Sequence, residues 1–286
     1  MRINNNITAI NSHRQYTINN NNIGKNVEKL SSGFRVNRAG DDAAGLAISE
    51  KMRAQIRGLN MASKNSQDAI SLVQVAEGGM QTIQDILQRM RELSVQSASD
   101  TNENNVDRPS LQKEFDQLIT EINQIADTTE FNTMKLLDGS FKGKVVQAGA
   151  NEKQTLAITI AQVSSAGIGT MTSGNPVPTT SVASLAGAGI STQTAAAAAI
   201  TVVNDAINVM SEHRATLGAI QNRLEYKIQN LNNAAENMAA AESRIRDADM
   251  AKIMTDFTKN SILFQASTAM LAQANALPQG VLRLLG

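Results

Sequence analysis

The sequence predicts a mainly α protein, an elongated antiparallel helical bundle with terminal coiled-coil helices and a small β-hairpin region. Three observations lead there. Apolar residues recur at alternating spacings of three and four over long stretches. Bulky core fillers are scarce, since 286 residues include no Trp, two Tyr and six Phe. The apolar share therefore falls to Ala, Ile, Leu, Val and Met, which pack along narrow helix seams. Finally, heptad-like seams stand at both ends of the chain. The economical fold pairs the N- and C-terminal helices and leaves residues 140–195 at the far end.

The first stripe runs through Ile3, Ile7, Ile10, Arg14, Thr17, Asn21, Gly24, Val27 and Leu30. Its middle is polar, and Asn4–Asn6 and Asn19–Asn22 are poor helix formers, so this helix needs a partner surface to stay ordered. A joint rich in glycine and charge follows, "GFRVNRAGDD". Beyond it the stripe strengthens through Met52, Ile56, Leu59, Ser63, Ser66, Ile70, Val73, Glu77, Met80, Ile83, Leu87, Met90 and Ser94. About 50 residues at 1.5 Å each predict a rod of roughly 75 Å, which must pack lengthwise on others. Gly78 and Gly79 mark a weak point or a place of close backbone approach within it, or a tolerated irregularity, which is the preferred reading.

After the polar run "SDTNENNVDRPS", Leu111, Phe115, Leu118, Ile122 and Ile125 repeat the spacing and predict a helical hairpin. "FNTMKLLDGSFKG" supplies turn residues, and "KVVQAGANEKQTLAITIA" predicts two short β-branched strands about a turn. Residues 162–194 are rich in Ser, Thr, Gly and Ala with almost no charge, and read as an exposed connection that cannot order itself firmly. Helix resumes at "TQTAAAAAITVVNDAINVM" and continues through Leu217, Ile220, Leu224, Ile228, Leu231, Ala235, Met238, Glu242 and Ile245. A last helix carries Ile253, Phe257, Phe264, Met270, Leu271, Ala274 and Leu277, with Pro278 placed where it should stop.

Composition excludes several classes of function. Lys plus Arg and Asp plus Glu both number 26, so no net field draws the chain to nucleic acid or to an anionic membrane. The absence of Cys removes disulfides, thiolate catalysis and cysteine metal sites. No cofactor motif is present. His13 and His213 lack companions at ligand spacing, and "GFRVNRAGDD" lacks the closing residues of a phosphate loop. No apolar leader is visible and no window approaches the roughly 18 apolar residues of a spanning helix, so membrane insertion is not expected. The chain is expected to be cytosolic, or to leave by a route that reads no cleaved signal.

The joint is the one place where chemistry could sit. Asp41 and Asp42 suit an N-cap and first-turn charge for a helix beginning near Ala43. Arg35 and Arg38 could close the joint against these acids or against a neighbouring subunit's backbone. Paired-carboxylate catalysis needs a pocket, which a narrow bundle does not supply. The structural reading is preferred, and no enzyme activity is expected.

The stretches "KLSSGFRVNRAGDDAAGLAISEKMRAQIRGL", "ILQRMRELSVQSA", "LGAIQNRLEYKIQNL" and "AAESRIRDADMAKIMTDFTKNSIL" resemble bacterial flagellin. The resemblance covers residues 1–160 and 195–286, and it implies a short form with a minimal central region. It implies five segments: 1–44, inner-core helix and spoke; 45–161, outer rod helices and hairpin; 162–194, variable surface loop; 195–246, returning rod helix; 247–286, C-terminal inner-core helix. Gly33, Arg35, Arg38, Gly40, Asp41 and Asp42 would be the spoke. Ile3, Ile7, Ile10, Val27, Leu30, Ile253, Phe257, Phe264, Met270, Leu271 and Leu277 would line the inner-core assembly.

The resemblance further implies a homopolymer, the extracellular filament of the flagellum, exported unfolded without signal cleavage. Its partners would be an export chaperone on the C-terminal helix, filament cap and hook-junction proteins, and a vertebrate innate immune receptor contacting Arg89, Leu93 and Glu114. The alternative is a hook–filament junction adaptor, against which the short central segment speaks.

Overall fold

The structure is a computed structural model. It describes residues 6–101, 103, 106–170 and 180–285, with the side chains of 170 and 277–285 outside the description. Ile3 and Leu277, both expected at the assembly surface, lie outside the described residues and side chains respectively. Five helices are described: α1 (Ile7–Ser32), α2 (Ala43–Ser97), α3 (Asp107–Thr128), α4 (Gln193–Arg246) and α5 (Met250–Leu285). Between α3 and α4 lie three antiparallel strand pairs: β1 (Glu130–Phe131) with β2 (Met134–Lys135), β3 (Lys144–Gln147) with β4 (Thr155–Ile158), and β5 (Gly169–Thr170) with β6 (Thr180–Ser181).

Side chains set most helix starts. Asn6 accepts from the Ala9 N–H at 3.1 Å, Asp42 from Gly45 at 2.8 Å, and Asp249 from Lys252 at 3.2 Å. Each satisfies a donor that a first turn leaves orphaned. α5 runs through Pro278 to Leu285, where the sequence predicts a stop. Proline lacks the donor for its own intrahelical bond and crowds the carbonyl one turn earlier, yet the helix continues past it.

The chain divides into two compact units, one of residues 57–234 and one of residues 1–56 with 235–286. The first has a continuous apolar core. On α2, Ala69, Val73, Ala76, Met80, Ile83, Leu87 and Met90 form one buried stripe at alternating spacings, packed with Phe115, Ile119 and Ile122 of α3 and with Ala199, Val203, Ala206 and Met210 of α4. The helices are antiparallel neighbours: Ser63 bonds Asn232 and Arg91 bonds Asn204 across α2 and α4. In the β3–β4 hairpin Leu156 and Ile158 turn into the core.

Three expectations need correction here. The segment 162–194 is not an exposed connection at its flanks, because Val163, Ser165, Ile168, Val182, Leu185 and Ile190 are all buried. Its few apolar residues suffice because α3 supplies polar partners. Asn123 accepts from the Ser165 N–H at 3.0 Å, Asp116 from Gly187 at 2.9 Å, and Gln112 from Ile190 at 2.7 Å while donating to the Leu185 carbonyl.

Gly79 is not a mere irregularity either: a Cβ there would lie 2.9 Å from Leu137 and 3.0 Å from Thr129, whereas one at Gly78 meets nothing within 4 Å. And α4 is, by length and composition, apolar enough to cross a membrane, against the expectation that no window qualifies. Its alanine run is the cause. Ala196, Ala199, Val202 and Val203 of that window are buried in the core of residues 57–234.

Candidate assembly surface and its joint

The smaller-cored unit holds the candidate site. Here α1 and α5 pack antiparallel along an unusual seam. The α1 residues turned inward are Ala9, Ser12, Tyr16, Asn19, Ile23, Asn26 and Leu30, spaced by three and four, of which Asn19 alone is classed as buried. They meet Ile253, Phe257, Phe264, Ser267, Leu271 and Ala274 of α5. Small and polar groups dominate the α1 side and larger apolar ones the α5 side, and specific bonds fix the register. Asn6 Nδ2 donates to the Ala274 carbonyl at 2.7 Å, Asn19 Nδ2 to Ser267 Oγ at 3.0 Å, and Tyr16 stacks on Phe264 with centroids 4.8 Å apart.

The stripe expected to form this seam mostly does not. Ile7, Ile10 and Val27 are 59%, 62% and 48% exposed, and on α5 Met270 is 63% exposed. Ile18, Met250, Met254, Ile262 and Leu263 join them at the surface. Of the expected residues, Leu30 on α1 and Ile253, Phe257, Phe264 and Leu271 on α5 are half-buried and turn toward the partner helix as anticipated. The pair thus presents apolar side chains that none of the described residues covers. A shallow groove lies on it, lined by Ser12, Gln15, Leu263, Ala266 and Met270. A monomer rarely leaves so many large apolar side chains exposed on one pair of helices without a use for them.

The joint follows α1. Gly33 ends that helix in the left-handed region at φ 74°, its N–H donating to the Lys29 carbonyl, a conformation that glycine adopts without strain. Gly40 has no such need, having ordinary φ and open space around it. Asp42 caps α2 as anticipated. Asp41 does not: its Oδ2 accepts from the N–H groups of Arg38 and Asn37 at 3.1 and 3.2 Å, closing the loop on itself, and these bonds hold its carboxyl below the usual range.

The arginines also depart from expectation. Arg38 pairs with Glu28 at 2.8 Å, not with the loop acids; this bond and one from Asn37 lower the Glu28 carboxyl, and Glu28 in turn raises Arg38. Arg35 donates to the Ile245 carbonyl of its own chain at 2.6 Å, taking up an acceptor left free by the end of α4. Each charge of the loop has a conformational task, and sequence spacing missed Glu28 because it lies a helix turn before the joint.

In the other unit, Arg89 bridges Glu114 at 2.9 Å and Glu92 at 3.0 Å on an exposed face, and these acids raise the guanidinium. Leu93 is fully buried in the core. As a receptor contact it is therefore a correction: the α2 stripe turns it inward, away from Arg89 and Glu114.

Comparison with known proteins gives a consistent result. Residues 3–142 match the family profile described as the bacterial flagellin N-terminal helical region, and residues 200–285 the one described as the bacterial flagellin C-terminal helical region. The flagellin of Halalkalibacterium halodurans is 53% identical over 285 residues, with 100% of each chain covered. That of Bacillus subtilis is 50% identical, and the flagellar filament 33 kDa core protein of Treponema phagedenis 48%, again with both chains fully covered.

Proposed function

This chain belongs to the bacterial flagellin family, and from that premise we propose how it acts: as a subunit that packs against its own copies through α1 and α5. It is a structural subunit that self-assembles into the bacterial flagellar filament, an extracellular appendage that serves motility. The observation carrying the finer reading is the uncovered apolar surface of the α1–α5 pair, with Ile7, Ile10, Ile262 and Met270 at its most exposed points. Burying one such side chain contributes about 1.5–3 kcal/mol, and a helical polymer repeats that gain at every subunit. In this reading residues 1–44 and 247–286 form the inner layer, 45–161 and 195–246 the outer rod, and Gly33, Arg35, Arg38, Gly40, Asp41 and Asp42 the spoke between them.

The same surface gives an export chaperone its ground on α5, since exposed apolar helices in a free subunit invite aggregation. Contacts with cap and hook-junction proteins, and export without signal cleavage, belong to the proposal on the strength of the family alone. So does the lack of catalysis, supported by the conformational tasks that account for Asp41 and Asp42. For an innate immune receptor the exposed Arg89 and Glu114 are the accessible pair. Nothing favours the junction-adaptor alternative.

The test is seeded polymerisation of the full chain beside one lacking residues 1–40 and 250–286, scored by electron microscopy. Elongation by the full chain alone is expected. Equal elongation by the truncated chain would refute packing through the terminal helices.

A further inference from the structure

Glu50 and Arg53 stand one turn apart on α2, as Glu242 and Arg246 do on α4. They pair crosswise: Arg53 Nε lies 3.0 Å from Glu242 Oε1, and Arg246 donates to Glu50. The Phe34 ring, arriving from the end of α1, lies against both guanidiniums, with Arg246 Cζ 4.9 Å and Arg53 Cζ 5.3 Å from its centroid. Both distances fall where the electron-rich face of a ring attracts a cation. The Glu242 and Arg246 side chains are each only 12% exposed, so water screens this cluster weakly.

Arg246 Nε is buried without a hydrogen-bond acceptor, and the ring is the electron-rich surface beside it. The main chain closes the arrangement. Phe34 and Asp247 form a β-bridge, the Arg35 N–H donates to the Arg246 carbonyl at 2.7 Å, and Ala248 donates to Gly33 at 3.0 Å.

We propose that Phe34 is a positioning residue. Its ring, held by two ion-paired arginines, fastens the exit of α1 and the entry of α5 to α2 and α4 within a single subunit, before any other copy is met. A leucine would fill much of the same space but present no electron-rich face to the guanidiniums, whereas a tyrosine would present one. The inference goes beyond the assembly reading and does not depend on it: the seeding experiment tests assembly, whereas this one reads the isolated subunit.

The experiment is amide hydrogen exchange on the dilute full chain with Phe34→Leu and Phe34→Tyr, using α3 as an internal reference. With Phe34→Leu, exchange near residues 24–32 and 250–257 is expected to quicken about tenfold while α3 is unchanged, and Phe34→Tyr is expected to stay near the parent. Exchange in Phe34→Leu as slow as in the parent would overturn the proposal, and so would exchange in Phe34→Tyr as fast as in Phe34→Leu. If Phe34→Leu does not fold, NMR of the unaltered chain decides. The side-chain protons of Arg53 and Arg246 are expected upfield of other arginines through the ring current, and ordinary shifts there would overturn the proposal.

Discussion

Residues 57–234 and the unit built from the two chain ends obey the same three-and-four spacing with opposite results. In the former the stripe from Ala69 to Met90 is sealed against α3 and α4. In the latter the buried apolar residues described are only Val36, Ala235 and Ala274, and the α1 side of the seam is largely Ser, Asn, Ala and Tyr. Periodicity reports that a helix has an apolar face; it does not report whether that face is satisfied within the chain or by another copy. A sequence of low aromatic content can fill one such seam, and here it leaves the other open.

The largest expected effect tests that division. Leu87→Ala, at a fully buried position, is expected to destabilise residues 57–234 by about 2–5 kcal/mol, read by chemical denaturation. Ile10→Ser is expected to change subunit stability by no more than about 0.5 kcal/mol while raising the critical concentration for seeded elongation about tenfold or more. Should Ile10→Ser unfold the subunit instead, the division between sealed and open seams fails.

Next in size is the polar docking of the segment before α4. Gln112→Ala would leave the Ile190 N–H and the Leu185 carbonyl without these partners, a loss of about 1–3 kcal/mol; exchange at Ile190 checks it. The two adjacent glycines sharpen the contrast further. Gly79→Ala must push Leu137 and Thr129 aside and is expected to cost about 1–3 kcal/mol, offset by about 1 kcal/mol of helix propensity. Gly78→Ala, in open space, is expected to gain up to about 1 kcal/mol. Melting temperatures of the two variants should therefore move in opposite directions.

The smallest effect is in pH. Burial lowers the pKa of His213, with Glu212 opposing, so the unfolded chain takes up that proton first. Its contribution is unchanged above about pH 6.5 and declines as pH falls below it. Asp41 and Glu28 are lowered by their hydrogen bonds, so their support of the joint is present above the ordinary carboxylate range, about pH 4, and is lost as pH falls beneath it. Once the intrinsic pH dependence of amide exchange is divided out, protection should accordingly fall in α4 and not at the joint between pH 7 and pH 5, and His213→Gln should flatten the α4 response.

The α2 stripe was legible because aliphatic residues hold one heptad seam over many turns, with no competing face. The α1 seam was not, because Ile7, Ile10, Ile18 and Val27 lie off it, while Asn19 and Asn26 turn inward and carry no apolar signal. Asp42 could be read as a cap from its place before Ala43. Asp41, one residue earlier, follows the same rule in sequence and a different one in space, because the loop curls so that Arg38 and Asn37 present their N–H groups to it. Glu28 was missed because a glutamate inside a helix looks like any solvated charge until the chain folds back on it. The described flanks of the segment 162–194 depart from the sequence reading for a related reason: their partners are polar groups on α3, and hydropathy takes no account of them.

That last arrangement reaches further than the segment's own order. Asn123, Gln112 and Asp116 grip N–H groups of Ser165, Ile190 and Gly187 and the carbonyl of Leu185, all of them main-chain atoms. Apart from Ser165, which adds its hydroxyl to Asn123, and Gly187, whose φ of 82° favours glycine, these handles are ones that any residue type other than proline offers. Ala166, Ser184, Ala186 and Ala188 face solvent and take no part in the grip, so their identities can be rewritten while the scaffold beneath holds its place. The molecule thus separates what its exterior looks like from what keeps that exterior attached.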